Sequence, residues 1–223
     1  MRSKIIFIVL LAMGTISFKA PEQKKIIFYG DSITAAGTRD DNAYINKFGF
    51  YAKEDNFSPK LINAGISGNK VTDLYLRLEK DVLSQSPDIV VIYIGVNDIW
   101  HKTTKGTGTD FNKFGEFYDE IVQKLLAENI NVVICTPAVI GEKIDCSNQQ
   151  DGDLNKYSQW IRDYAELNDL ALVDLRELFL TYNRERNIEN IAQGILTTDG
   201  VHLNTAGNDL VAKEMWGIMQ AYF

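Results

Sequence analysis

Four short segments of the chain hold residue types able to carry out acyl transfer. Gly30-Asp31-Ser32-Ile33-Thr34 places a serine two residues after a glycine at the end of an apolar run, where a sharp bend exposes a hydroxyl nucleophile. If a helical turn starts there, the Ser32 N–H also points at the site. Asn63-Ala64-Gly65-Ile66-Ser67-Gly68-Asn69 has two glycines that permit a tight turn, and a freed Gly68 N–H is a candidate oxyanion donor. Gly95-Val96-Asn97-Asp98 offers the Asn97 amide to the same oxyanion, with Asp98 placed to order its loop. Asp199-Gly200-Val201-His202 puts an acid where it can hold imidazole Nδ1 while Nε2 takes the serine proton.

Taken singly, each segment has a plainer explanation. These are a helix-capping serine, a turn with Asn69 as the cap of the next helix, an Asn-Asp turn, and a surface loop with an incidental histidine. Together, nucleophile, oxyanion donors, base and orienting acid each follow a separate apolar run, which completes the role list for acyl transfer. The chain has only 2 histidines, so an imidazole base is either His202 or His101. His101 lies in the Gly/Thr-rich stretch 99–110 and reads as a solvated loop residue. Trp100, beside the Asn97 block, reads either as a packed loop anchor or as a platform for a sugar face or an acyl chain.

The elements that must position these residues are legible as short apolar runs alternating with amphipathic stretches. The runs are Lys25–Tyr29, Pro59–Ala64, Asp88–Gly95, Ile130–Thr136 and Ala171–Leu175. Several are continuously apolar, as a strand buried on both faces is. Helical spacing links Val71, Leu74, Leu78 and Val82, and likewise Phe114, Phe117, Ile121 and Leu125. Leu154, Tyr157, Ile161 and Tyr164 form a third stripe; Val211, Met215, Ile218 and Tyr222 form a fourth. The alternation predicts an α/β domain with a five-stranded parallel sheet and helices on both faces. In such folds ligands bind outside the carboxyl ends of the strands, where the four segments fall.

Composition narrows the class. The chain of 223 residues is 45% hydrophobic and 24% charged, with a net charge of −7, a balance unsuited to neutralising nucleic-acid phosphates. With 2 cysteines it is no disulfide scaffold or zinc cluster, and Cys135 reads as a small buried residue rather than a partner of Cys146. Basic Met1–Lys4 followed by apolar Ile5–Met13 has the shape of a secretory signal peptide, with a first buried strand or an uncleaved anchor as the alternative. Removal of residues 1–20 takes away Arg2, Lys4 and Lys19 but no acid, so the charge becomes −10 and one domain, 21–223, remains.

In the order of these blocks the sequence resembles the SGNH hydrolases, also called the GDSL esterase/lipase family, over residues 26 to about 210. The resemblance implies a flavodoxin-like three-layer α/β/α sandwich. It also implies Ser32 as nucleophile, His202 as base, Asp199 as its acid, an oxyanion hole of Ser32 N–H, Gly68 N–H and Asn97, and no metal or cofactor. Export, an acidic surface and a tryptophan beside the site favour removal of O-acetyl groups from carbohydrate in an extracytoplasmic compartment. Action on acyl lipids or small esters, as lysophospholipase, arylesterase or thioesterase, ranks second. A non-catalytic binding module on the same fold ranks third. The expected partner is a small ester or acetylated carbohydrate, with no nucleic acid and no stable membrane insertion after signal cleavage. A nucleotide-binding reading finds neither G-x-G-x-x-G nor a P-loop after the first strand.

Overall fold

Strands buried on both faces form the centre of the molecule. The computed structural model describes residues 23–223, so the export segment expected over residues 1–20 lies outside the described residues. The strands are Lys25–Gly30 (β1), Lys60–Gly65 (β2), Ile89–Tyr93 (β3), Asn131–Cys135 (β4) and Ala171–Val173 (β5). All pair in parallel, in the order β2-β1-β3-β4-β5. The connections carry Ser32–Ala35 (α1), Tyr44–Glu54 (α2), Val71–Asp81 (α3), Val96–Thr104 (α4), Phe111–Ala127 (α5), Asp151–Leu167 (α6), Leu175–Arg186 (α7) and Thr205–Met219 (α8).

Side chains along β1 alternate between two cores, as the two-residue period of a strand requires. Ile26 and Phe28 meet α2, α7 and α8 through Tyr44, Phe48, Phe179 and Trp216. Ile27 and Tyr29 meet α3, α5 and α6 through Leu74, Phe114, Ile121 and Tyr157. The result is the expected three-layer sandwich with a five-stranded parallel sheet. Order reverses between β1 and β3, and the crevice at that switch point is where doubly wound sheets bind ligands.

Departures from the expected elements have local causes. Leu175 begins α7 rather than ending β5, because the Asp174 side chain accepts from Glu177 N and caps the helix. Phe117 is only partly buried and packs edge-on against Tyr75, while Tyr118 takes the core position. Ile218 and Tyr222 are likewise partly buried, Tyr222 in a 3₁₀ turn after α8. The stretch read as a loop after Gly95 is α4; Gly95, at φ 124°, breaks β3 and the chain turns straight into helix. Cys135 is buried and Cys146 exposed, and both are free.

The end of β2 presses against α1, the turn after β1. A Cβ on Gly65 would lie 2.1 Å from Ala35 N, a backbone atom that cannot swing aside. Gly65→Ala should therefore cost about 1–3 kcal/mol in urea unfolding, as overpacking typically does. An unchanged midpoint would show that α1 is free to move off β2.

Candidate active site

Ser32 follows β1 directly, on the first residue of α1. Asp31 caps that turn: its Oδ1 accepts from Ile33 N at 2.9 Å and its carbonyl from Ala35 N at 2.8 Å. The capping residue is thus Asp31 and not Ser32, which leaves the serine hydroxyl free for other work. The Ser32 N–H meets no acceptor among the described residues.

The segment after β2 turns through Ile66–Asn69, with Asn69 N donating to Ile66 O at 3.2 Å. Gly68 occupies the third position at φ 81°, where an L side chain is strained, and a Cβ there would touch nothing within 4 Å. Its glycine therefore answers to backbone conformation rather than crowding. The expected Asn69 cap of α3 is corrected: Lys70 is the N-cap, its N–H donating to Asp73 Oδ2 at 2.8 Å. Asn69 serves the site instead. Its carbonyl accepts from Asn97 Nδ2 at 3.1 Å, which orients the buried Asn97 amide and leaves its second N–H available.

One residue that the sequence reading did not single out joins these loops. Arg77, on α3, donates through Nη2 to Gly30 O at 2.9 Å and through Nε to Asn69 Oδ1 at 2.7 Å. Ile66 N reaches the same Gly30 carbonyl at 3.1 Å. The arginine fork thus fixes the serine turn and the Gly68 turn relative to each other. Asp98 does the equivalent for α4, accepting from Val71 N at 3.2 Å with Oδ1. That matches the ordering role expected for it.

His202 arrives from the far end of the chain. Ser32 Oγ and His202 Nε2 are 2.9 Å apart, and His202 Nδ1 lies 2.7 Å from Asp199 Oδ2. With the Nδ1 proton donated to the carboxylate, Nε2 is left to accept from the serine hydroxyl. Asp199 Oδ1 also accepts from Val201 N and His202 N, at 3.0 and 2.8 Å. Partial burial pulls the Asp199 carboxyl upward, but these N–H bonds and the imidazole outweigh it and hold it below the usual carboxylate range. The structure therefore brings Ser32, His202 and Asp199 into one hydrogen-bonded chain.

Trp100 sets its ring edge-on to His202, centroids 6.4 Å apart. His101 is not the solvated loop residue expected. It sits on α4, 5% exposed, because α4 buries that face where a loop would have left it open. Desolvation, with Lys105 and Lys70 nearby, lowers its pKa. No hydrogen bond of its ring reaches the serine, whose imidazole partner is His202.

A family profile described as the GDSL-like lipase/acylhydrolase family matches residues 28–210. The chain belongs to this family. It is a carboxylic ester hydrolase of that kind. The solved acetyl xylan esterase AlAXEase is 54% identical, with a TM-score of 0.84 over 86% of this chain and 98% of its own. The acetylxylan esterase of Geobacillus stearothermophilus is 27% identical, covering 85% of this chain and 91% of its own length. A crystal structure of an acetylxylan esterase from that organism shares the fold, with a TM-score of 0.76 at 24% identity over 88% of this chain and 94% of its own.

The turn that presents Ser32 carries a buried carboxyl, Asp31, with Asp98 close enough to repel it. Asp31 is 2% exposed, and burial pushes its carboxyl up to about 7, with Asp98 adding like-charge repulsion. Burial likewise pushes Asp98 up to about 6. Folded Asp31 keeps its proton to about pH 7, whereas the unfolded chain releases it near 3.8. Proton uptake is then greater in the folded state across that window, so this group makes stability fall as pH rises. Asp31→Asn keeps an acceptor for Ile33 and removes the ionisation. In urea unfolding the variant should gain on wild type between about pH 4.5 and 7.5; a constant difference would mean that Asp31 ionises freely in the fold.

Proposed function

We propose that the protein is an acetyl esterase acting on carbohydrate, with xylan-type oligosaccharides as its substrate class. In this reading Ser32 Oγ attacks the acetyl carbonyl as His202 Nε2 takes its proton. The tetrahedral oxyanion rests on the N–H groups of Ser32 and Gly68 and on Asn97 Nδ2. His202 then gives the proton to the leaving sugar oxygen, and the acetyl group stays on Ser32. Water, deprotonated by His202, attacks that ester; acetate leaves and Ser32 regains its proton. Asp199 holds the imidazole tautomer and balances the imidazolium charge throughout.

The observation that carries the carbohydrate reading is the cleft beside Trp100 and Asp199. The leaving oxygen must sit within reach of His202 Nε2, so the alcohol half of the ester lies toward His202 and Trp100. Next to that place, bordered by Trp100 and Asp199 but not by Ser32 or His202 themselves, a cleft of about 350 Å³ is lined also by Lys143, Asn148, Gln149 and Gln193. An aromatic edge with amides and an ammonium suits a hydroxyl-rich ring better than an acyl chain. Similarity to acetylxylan esterases supports the same choice.

Export fits a polymeric substrate, and residues 1–20 are proposed as the signal that delivers the enzyme outside the cytoplasm. Among the described residues no helix is long and apolar enough to cross a membrane.

Acetate release from acetylated xylo-oligosaccharides, set beside p-nitrophenyl acetate, butyrate and longer esters, tests the substrate class. Turnover of the glycan with a steep preference for acetyl is expected; long-chain preference with no acetate from glycan would overturn it. Ser32→Ala should abolish turnover while far-UV circular dichroism stays native. Asn97→Ala should lower kcat by roughly 10²–10³, as loss of one oxyanion donor does elsewhere. Wild-type rates in either variant would remove that residue from the mechanism.

A further inference from the structure

His202 and Asp199 lie on a stretch between α7 and α8 that has almost no regular structure. Between Asn187 and Asn204 the backbone forms turns, bends and a single antiparallel bridge between Thr197 and Leu203. Bonds such as Thr198 N to His202 O and His202 N to Asp199 Oδ1 close the turn on itself, but with no sheet or helix beneath it the turn's place in the molecule must be set from outside.

We propose that Glu142 is the positioning residue for the acid–base pair. Glu142 follows β4 on the loop facing this stretch and is 1% exposed. Its Oε1 accepts from Leu196 N at 2.6 Å and Thr197 N at 3.0 Å, and its Oε2 from Ile195 N at 2.9 Å. A buried carboxylate is thus satisfied by the three successive backbone N–H groups that precede the Asp199 turn. Its own backbone closes the clasp: Glu142 N donates to Ala192 O, Gly141 N to Gly200 O, and Asn187 Nδ2 to Glu142 O.

The carbonyls of the same strip are taken from the other side. Asn204 Nδ2 donates to Ile195 O at 3.1 Å, and Asn204 N to Leu196 O at 3.0 Å. Gly207 packs so closely that a Cβ on it would lie 2.1 Å from Leu196 O. The strip is therefore gripped between a glutamate on the β4 loop and the start of α8. From it the chain continues into Asp199 and His202, with Thr197 Oγ1 accepting from Gly200 N at 3.0 Å. Charge-assisted bonds at one end of so short a span fix the imidazole at the other.

The inference rests on Asp199 and His202 acting as acid and base, and the test separates the two. Glu142→Gln keeps the shape but turns an amide donor toward a backbone donor. Its kcat on p-nitrophenyl acetate, read well below its unfolding midpoint, should fall about ten- to hundredfold with KM within about twofold, the pattern of a misplaced catalytic group. The downfield Nδ1 proton resonance of His202 should broaden or vanish. Glu142→Asp, which keeps the charge, should recover part of the rate. A folded Glu142→Gln with wild-type kcat and an intact resonance would overturn the proposal, since a purely structural role lowers only the midpoint. An active His202→Ala would instead sink the acid–base reading itself. Amide exchange in the wild type needs no variant: Leu196 and Thr197 should be protected as strongly as β3, and rapid exchange would also overturn the proposal.

Discussion

A single hydrogen bond, 2.9 Å from Ser32 Oγ to His202 Nε2, joins residues 170 positions apart, and both ends must be held to within fractions of an ångström for it to serve in proton transfer. The serine end is fixed by the sheet. β1 lies between β2 and β3, its last carbonyl is taken by Arg77 and Ile66, and Asp31 caps the turn that follows. The histidine end has no sheet beneath it. Its position comes from side chains that satisfy loose backbone: Asp199 within the turn, Glu142 from the β4 loop and Asn204 from the start of α8.

The asymmetry has a physical logic. Oxyanion donors work only if they are aimed before charge develops, so they belong where the scaffold is stiffest. Here the proposed donors follow β1, β2 and β3, with Asn97 held by Asn69 and the Gly68 turn tied through Arg77. The cost is two carboxyls, Asp31 and Asp98, buried close enough to repel. Backbone N–H groups satisfy part of each, Ile33 N on Asp31 and Val71 N on Asp98, with Thr109 and the Lys70 charge also favouring the Asp98 carboxylate.

How much of this was legible depends on which atoms do the work. The strands were legible because Ile89–Tyr93 and its counterparts are apolar on both faces, and the stripes of α3, α5, α6 and α8 because each covers a core. Helix α4 was hidden by its own sequence: Gly95-Val96-Asn97-Asp98 has turn chemistry, and Trp100, His101 and Thr103 favour helix weakly. Tertiary burial of Val96, Ile99 and His101 decided the matter. Ser32, Gly68, Asn97, Asp199 and His202 were visible because their types and order carry chemistry. Arg77 and Glu142 were not. Glu142 binds backbone N–H groups, and Arg77 takes the Gly30 carbonyl; a backbone partner has no side-chain identity and leaves no mark on sequence. The nearest signal was a charge, Glu142, separated by Gly141 from the apolar run Ala138–Ile140, but Lys143 and Asp145 beside it make that signal ordinary.

The same backbone that carries Asp199 and His202 also forms part of the cleft proposed to receive the alcohol. Gly141, Asp199, Gly200 and Val201 all line the cleft beside Trp100, and the 2.8 Å bond from Gly141 N to Gly200 O runs along its wall. Any group seated there presses on the segment that carries Asp199 and His202. On the proposed reading, recognition of the alcohol and transfer of its proton are not separable by residue, because a wall altered to fit another alcohol bears on the segment that carries the imidazole. The oxyanion side is insulated from such changes, because Arg77 and the sheet hold it independently. On that reading, cleft side chains outside the Glu142 clasp, such as Trp100, Lys143, Gln149 and Gln193, are the ones through which the alcohol could be varied without disturbing the acid–base segment.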